Sequence, residues 1–157
     1  MARESGLLLS DEEILLLREL VAEGVPFMLV GAGAALIQGA DVATQDIDIW
    51  FRSTSHPGIE KAAKAAGATF AWRANPPSFL GEGFDDVDVV VFCHGLRSFD
   101  EEYVEAIEIP LDDVIVKILP LERIIASKRA ANRVKDRAAI PALEAALAAE
   151  MATRPKR

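Results

Sequence analysis

Residues 27–52 constrain the fold most strongly, because four structural signals follow one another there. The apolar run Phe27–Val30 predicts a short buried strand, and the glycine turn at residues 31–33 leads into a small helix over residues 34–38. Apolar and polar residues then alternate over residues 46–52, which predicts a second strand with one buried face. This order of elements predicts helices packed against a sheet.

The second of these strands carries two aspartates on one face. Ile47 and Ile49 point to the buried face, whereas Asp46 and Asp48 share the other, roughly 6.5–7 Å apart along the strand. Aspartate is depleted in strands and neighbouring like charges repel, so the pair is out of keeping with its surroundings. Two interpretations remain open: solvated aspartates at a strand end, or a site that binds a cation.

A third aspartate, Asp88, interrupts an apolar run over residues 87–93 that predicts another strand. If this strand lies beside the first aspartate strand, Asp46, Asp48 and Asp88 converge on one patch of the sheet. Mg²⁺ in proteins takes one or two carboxylates together with waters and substrate phosphates. Two such ions, about 3.5–4 Å apart, stabilise the attacking and leaving oxygens of a phosphoryl displacement. Adjacent strands would therefore create a candidate Mg²⁺ site.

Helical periodicity and turn residues divide the rest of the chain into further elements. We predict a helix over residues 10–24, where Ser10 and Glu13 have the spacing of a capping box, and further helices over 57–67 and 121–132. We predict strands over 68–72, 105–109 and 114–119, and an Ala-rich last helix that ends near Glu150 and that Pro141 limits toward Asp136. The predicted fold is α+β or α/β, with a mixed sheet flanked by helices and with C-terminal helices. A single domain over residues 1–152 precedes a frayed basic tail over 153–157.

Charge and composition limit the classes of function. The net charge is −8, which argues against a surface built to coat nucleic acid, because phosphate contacts need many Lys and Arg residues. Residues 128–137 are nevertheless strongly basic, and such a patch can serve a small anionic ligand. Cys93 is the single cysteine, so we expect neither an internal disulfide nor a zinc site. Without a bilayer-length apolar run, or signal-peptide features in residues 1–13, we expect no membrane association and a cytoplasmic location.

Lys128 lies on the apolar stripe of its predicted helix, because Leu121, Ile124 and Ile125 precede it at helical spacing. A buried ammonium group requires an anionic partner. We therefore expect Lys128 to pair with one of the three aspartates in the empty protein and to contact a phosphate when ligand is bound. The alternative is a lysine whose charged end reaches solvent beside the stripe.

Other polar and aromatic residues allow simpler interpretations. Arg133 and Lys135 fit a solvated basic face, and Asp136 fits a cap of the last helix. Trp50 shares the face of the carboxylates, where it either stacks on a base or covers the sheet. The two histidines are not spaced as a metal pair, and we expect residues 93–94 to end a buried strand.

With these residues, the chain resembles a minimal nucleotidyltransferase of the DNA polymerase β-like superfamily, of the kind found in bacterial abortive-infection and toxin–antitoxin systems. The pattern is a glycine pair after the first strand, a small helix ending in glycine, Thr-x-Asp-Ile-Asp, and a third carboxylate later. The residues that fit it are Gly31, Ala34, Gly39, Thr44, Asp46, Asp48 and Asp88. Residues 121–128 and 132–136 look like the family's Leu-Ile-x-x-Lys and Arg-x-Lys-Asp segment, so the similarity runs from residue 29 to about 147.

The resemblance implies a nucleotidyltransferase-like sheet and a reaction that moves a nucleoside monophosphate from an NTP to a hydroxyl of an RNA or protein acceptor. It implies Asp46, Asp48 and Asp88 as catalytic residues and ligands of Mg²⁺. The nucleotide-binding residues that it implies are Gly31, Ala32, Gly33, Thr44 and Lys128. The implied setting is a toxin–antitoxin or phage-defence system, with a cognate toxin or antitoxin as partner.

Two positions depart from the family pattern. Ala32 follows Gly31 where the family commonly has glycine or serine, and Val42 stands where an arginine often precedes the threonine. Both changes affect phosphate binding, so a binding module that has lost catalysis stays open as an alternative. A Mg²⁺-dependent phosphohydrolase, which would share the metal site, is a third.

Overall fold

The structure is a computed structural model, which describes residues 9–153. Its helices are α1 (Asp11–Ala22), α2 (Gly31–Ile37), α3 (Pro57–Ala66), α4 (Phe99–Glu105), α5 (Leu121–Ala131) and α6 (Val134–Thr153). Its strands are β1 (Phe27–Val30), β2 (Ile47–Phe51), β3 (Thr69–Ala71), β4 (Ser78–Leu80), β5 (Val87–Val90), β6 (Ile107–Leu111) and β7 (Val114–Ile118). The described range leaves out residues 154–157, which are most of the predicted tail. It also leaves out residues 1–8, which belong to the N-terminal segment without signal-peptide features.

The strands form one mixed sheet in the order β3-β4-β5-β2-β1-β7-β6. Strand β2 lies antiparallel to β1 and parallel to β5, and β1 is also parallel to β7. The outer pairs β3–β4 and β6–β7 are antiparallel hairpins. A mixed sheet with flanking helices confirms the predicted fold class. It also places β5 beside β2, as the convergence of the three aspartates requires.

The central strand β1 is buried along its whole length, which explains its uninterrupted apolar sequence. Helix α1 packs against α3 and β7, and α5 packs against α6. The predicted capping box of α1 is present, because Ser10 Oγ accepts from the Glu13 backbone N–H and Glu13 accepts from that of Ser10. Within the described residues, no helix combines the length and apolarity needed to cross a membrane.

Helix α2 begins earlier than predicted, at Gly31 rather than at Ala34. Gly31 adopts a φ of +72°, a conformation that favours glycine, and this lets the chain turn directly from β1 into the helix. The predicted glycine turn is therefore the first turn of α2 itself.

Two short elements, α4 and β4, were absent from the sequence interpretation. Helix α4 has a detectable signal, because Ser98 lies three residues before Glu101 and its hydroxyl accepts from the Glu101 backbone N–H. Strand β4 has only three residues, too few to show alternation, and it is held by pairing with β3, where the rings of Phe70 and Phe79 lie 5.0 Å apart.

The predicted limit on the last helix was wrong, because α6 runs from Val134 through Pro141 to Thr153. Proline removes one helical donor but does not prevent helix formation on its N-terminal side when other contacts hold that segment. Here the Asp136 carboxylate accepts from the Arg133 backbone N–H at 3.1 Å and so caps the first turn. The interpretation of Asp136 as a cap is thus confirmed, and the helix extends past the predicted end.

Candidate functional site

A cleft of about 850 Å³ lies between the sheet and the α5–α6 pair. All but one of the eight predicted site residues line it, and the exception is Gly33. The predicted residues in the lining are Gly31, Ala32, Thr44, Asp46, Asp48, Asp88 and Lys128. The fold therefore assembles, at one place, residues that are up to 97 positions apart in the sequence.

Asp48 and Asp88 are direct neighbours, because parallel pairing of β2 with β5 sets them opposite each other in register. Burial, and then the charges of Asp88 and Asp46, raise the pKa of Asp48 to about 6. Burial also raises the pKa of Asp88, followed by the charges of Asp46 and Asp86. The solvated strand-end interpretation thus fails for Asp48, which is only partly exposed to solvent.

Gly31 and Gly33 let the backbone of α2 approach the aspartate segment closely. A Cβ at Gly31 would overlap a carboxylate oxygen of Asp48, and a Cβ at Gly33 would lie 2.5 Å from the backbone carbonyl oxygen of Asp46. Gly33 is buried in this contact and does not line the cleft. The structure therefore assigns tight packing to Gly33, whereas Gly31 both packs against Asp48 and faces the cleft.

The loop before β2 brings Thr44 and Asp46 to the cleft. The Thr44 hydroxyl oxygen accepts from the Asp46 backbone N–H at 3.1 Å, so Thr44 fixes the backbone that carries the carboxylate. Asp46 precedes β2 rather than lying within it, and it is exposed. Ala32 and Val42 also line the cleft, where their side chains offer no polar atom to a ligand.

Lys128 lies on the cleft wall with 19 % of its side chain exposed, but its ion pair differs from the predicted one. Its Nζ lies 3.3 Å from Oδ1 of Asp136, rather than forming an ion pair with an aspartate of the sheet. Burial opposes the ionisation of Asp136, but the hydrogen bonds of Arg133 and the charge of Lys128 outweigh it and lower the pKa of Asp136 to about 2. The reason for the different partner is the packing of α6 against α5, which brings Asp136 beside Lys128.

The cleft has opposite charges on its two sides. The aspartates line one side, and Lys128, Arg133 and Lys135 line the other. The basic face that the sequence predicted for Arg133 and Lys135 is therefore part of the cleft wall. The positive charges of Lys128 and Lys135 act on Asp48 and partly offset the rise in its pKa. A ligand that carries both a divalent cation and phosphates matches such a distribution of charge.

A buried network holds α5, and with it Lys128, against the rest of the site. The Glu102 side chain on α4 is fully buried and accepts hydrogen bonds from Arg123 of α5 and from Arg97. Although burial opposes its ionisation, these hydrogen bonds lower the pKa of Glu102 to about 2. Nothing in the alternating pattern of the sequence had indicated this network.

The segment after β5 differs from the sequence interpretation. The strand ends at Val90, so Cys93 and His94 lie in a loop instead of ending a buried strand, and both line the cleft together with Phe92. Burial, followed by the charges of Asp48 and Glu102, raises the pKa of the Cys93 thiol to about 12, which keeps it protonated and unreactive.

Trp50 covers the sheet instead of facing a ligand. It is buried, and its ring meets that of Phe99 edge-on at a centroid distance of 5.3 Å. His56 caps α3 by accepting from the Gly58 backbone N–H, which gives it a structural role.

The acidic side of the cleft suits a hard divalent cation in its chemistry. Asp48 and Asp88 supply neighbouring carboxylates; burial and then the charge of Asp88 raise the pKa of Asp48, and a cation would relieve the repulsion between the two. As they are placed, no three His, Cys, Asp or Glu side chains within residues 9–153 are grouped closely enough to hold a metal ion by themselves. The donor set therefore fits an ion that takes one or two protein carboxylates and completes its shell with water and ligand oxygens.

Comparison of the chain with protein-family models, with curated proteins and with solved structures returned no match. The resemblance to nucleotidyltransferases thus stays a prediction, and the functional argument depends on the cleft itself.

Proposed function

We propose that this protein is a Mg²⁺-dependent nucleotidyltransferase that moves a nucleoside monophosphate from an NTP to a hydroxyl of an RNA or protein acceptor. One observation carries the proposal: Asp48 and Asp88 stand in register on one side of a cleft whose other side presents Lys128 and Lys135. Carboxylates opposite cations are what a metal-bound triphosphate requires. The volume of about 850 Å³ lies within the range of small-molecule sites.

One or two of the carboxylates of Asp46, Asp48 and Asp88 would hold Mg²⁺ together with water and phosphate oxygens, and the ion when bound would neutralise phosphate charge in the transition state. Asp88, which stands directly opposite Asp48 in register, would accept the proton of the acceptor hydroxyl. The hydroxyl oxygen then forms a bond to the α-phosphorus, and the bond from that phosphorus to the bridging oxygen of pyrophosphate breaks. Lys128 binds the phosphate oxygens, and its ion pair with Asp136 orients the ammonium group.

The test is an incubation with each NTP, labelled at the α-phosphate, in Mg²⁺ with bacterial RNA or protein as acceptor. We expect pyrophosphate release together with label on an acceptor, and loss of both in Asp48→Asn. Orthophosphate or free nucleotide without a labelled acceptor would instead indicate the phosphohydrolase. Absence of pyrophosphate with all four NTPs and both acceptor pools would contradict nucleotidyl transfer.

A second candidate keeps the cleft but not the transfer step. Ala32 and Val42 present apolar side chains to the cleft, where a triphosphate would benefit from a hydroxyl or a guanidinium. This observation favours a nucleotide-binding module that partners a toxin or antitoxin. Under this candidate, Asp48→Asn folds and retains the biological activity, whereas an inactive but folded Asp48→Asn protein contradicts it.

A further inference from the structure

We infer that Phe92 is the stacking surface for the nucleobase, an inference that rests on the proposed nucleotide site. Phe92 lines the cleft, yet 66 % of the residue is exposed to solvent. Single exposed apolar side chains are common on protein surfaces, but Phe92 differs from the other exposed ones because its aromatic ring stands in the lining of the cleft that holds Asp48, Asp88 and Lys128. Nucleobases are suitable ligands, because every base has a flat π face that stacks on aromatic rings.

The ring of Phe92 has a defined neighbour that leaves it available for stacking. His94 meets it at a centroid distance of 5.0 Å and an interplanar angle of 81°, so the two rings are nearly perpendicular. Whichever ring contributes its edge, at least one face of Phe92 stays uncovered. His94 itself lines the cleft, so this contact orients the phenyl ring within the site.

The loop that carries Phe92 is anchored at its far end. Gly95 adopts a φ of +69° and packs so closely on α5 that an added Cβ would overlap the Cβ of Ala130. The Arg97 backbone N–H donates to the buried Glu102 carboxylate at 2.9 Å. Phe92 is therefore presented from a loop that follows β5 directly on one side and is held by α5 and α4 on the other, which lowers the entropic cost of binding a base.

The position of Phe92 relative to the charged groups also fits a nucleotide. It follows Asp88 by four residues, a distance of at most about 13 Å for an extended chain. The phosphate-binding cations lie across the cleft on α5 and α6, so a triphosphate bound there leaves its base free to reach the wall that holds Phe92. Stacking is tolerant of base identity, so the surface serves all four NTPs.

The experiment compares the binding of Mg²⁺-NTP with that of Mg²⁺-tripolyphosphate, which has the phosphates but no base. In Phe92→Ala we expect NTP affinity to fall about 5- to 150-fold, while tripolyphosphate affinity is unchanged. Phe92→Tyr should retain NTP affinity because it keeps the aromatic face. Val91→Ala is the matched control, because Val91 is 58 % exposed in the same loop but does not line the cleft.

The outcomes separate this inference from the function on which it rests. If the wild-type protein binds NTP and Phe92→Ala binds it equally well, base stacking on Phe92 is overturned and the nucleotide site stands. An equal loss of NTP and tripolyphosphate affinity in Phe92→Ala would also overturn stacking. If the wild-type protein binds neither ligand, the proposed function fails and the inference fails with it.

Discussion

Replacement of Asp48 by asparagine should make the folded protein more stable at neutral pH, although it removes a central residue of the proposed site. The pKa of Asp48 is about 6 in the folded protein against an ordinary value of 3.8, because burial and the charges of Asp88 and Asp46 disfavour the carboxylate. A difference of about two pKa units corresponds to roughly 3 kcal/mol, and this is a ceiling, because the new amide must also find partners. We expect Asp48→Asn to raise the free energy of unfolding at pH 7 by about 1–3 kcal/mol.

The pH dependence has a definite direction. The folded protein binds a proton at Asp48 more tightly than the unfolded chain does, so stability falls as pH rises from about 4 to about 6 and then levels off. The gain from Asp48→Asn should therefore be largest above pH 6 and should vanish below about pH 4. Urea unfolding at several pH values, without metal and with a chelator present, measures it.

Asp136→Asn is the matched control, because it makes the same chemical change at a carboxylate whose pKa the fold lowers instead of raises. The pKa of Asp136 is lowered to about 2, so its charge stabilises the fold above pH 4, and that stabilisation is lost as pH falls toward 2. At pH 7 the variant should lose about 2 kcal/mol, because Lys128 and Arg133 lose a buried anionic partner. If Asp48→Asn is neutral or destabilising while Asp136→Asn behaves as expected, the argument from burial and repulsion is refuted.

Three further predictions test the cation site, the cleft wall and the buried network. Mg²⁺ at about 100 times its Kd should raise the free energy of unfolding of the wild-type protein by about 2.7 kcal/mol, and Asp48→Asn should lose most of that gain. If urea titrations give the same gain for the wild-type protein and the variant, the ion binds elsewhere. Lys128→Met should fold, because Arg133 still pairs with Asp136. Calorimetry should show that the variant binds NTP more weakly by about 1.5–3 kcal/mol, and an unchanged affinity would show that Lys128 does not contact the nucleotide. Glu102→Gln should cost about 2–4 kcal/mol of stability by denaturant unfolding, whereas Glu105→Gln, at the exposed carboxylate that also pairs with Arg97, should cost under about 1 kcal/mol.

The parts of the fold that depend on local chemistry could be predicted from the sequence. Ser10 and Glu13 form the predicted capping box, and Gly67 ends α3 in the left-handed conformation that glycine favours. The adjacency of β2 and β5 could be stated only as a condition, because strand pairing depends on the whole sheet. Once that condition was met, alternation placed Asp48 and Asp88 on the same face, and the register of β2 with β5, which the sequence does not indicate, set them directly opposite each other.

The parts that depend on tertiary contacts could not be predicted. The partner of Lys128 was assigned wrongly because Asp136 lies at the start of a different helix, and only the packing of α6 on α5 brings its carboxylate to 3.3 Å from the ammonium group. The loop position of Phe92 was hidden in an apolar run that reads as continuous strand. Both errors arise where contacts between helices outweigh local sequence preference.

The most direct test of the site is the affinity of a non-hydrolysable NTP analogue in Mg²⁺ and in chelator, measured by calorimetry at pH 7.5. The pH lies above the pKa of Asp48, so its carboxylate is ionised and available to a cation. If Asp46, Asp48 and Asp88 act together on one metal-bound nucleotide, the analogue binds in Mg²⁺ and loses at least tenfold in affinity in chelator or in Asp88→Asn. Equal affinity in Mg²⁺, in chelator and in the variant would contradict a nucleotide site built on these carboxylates.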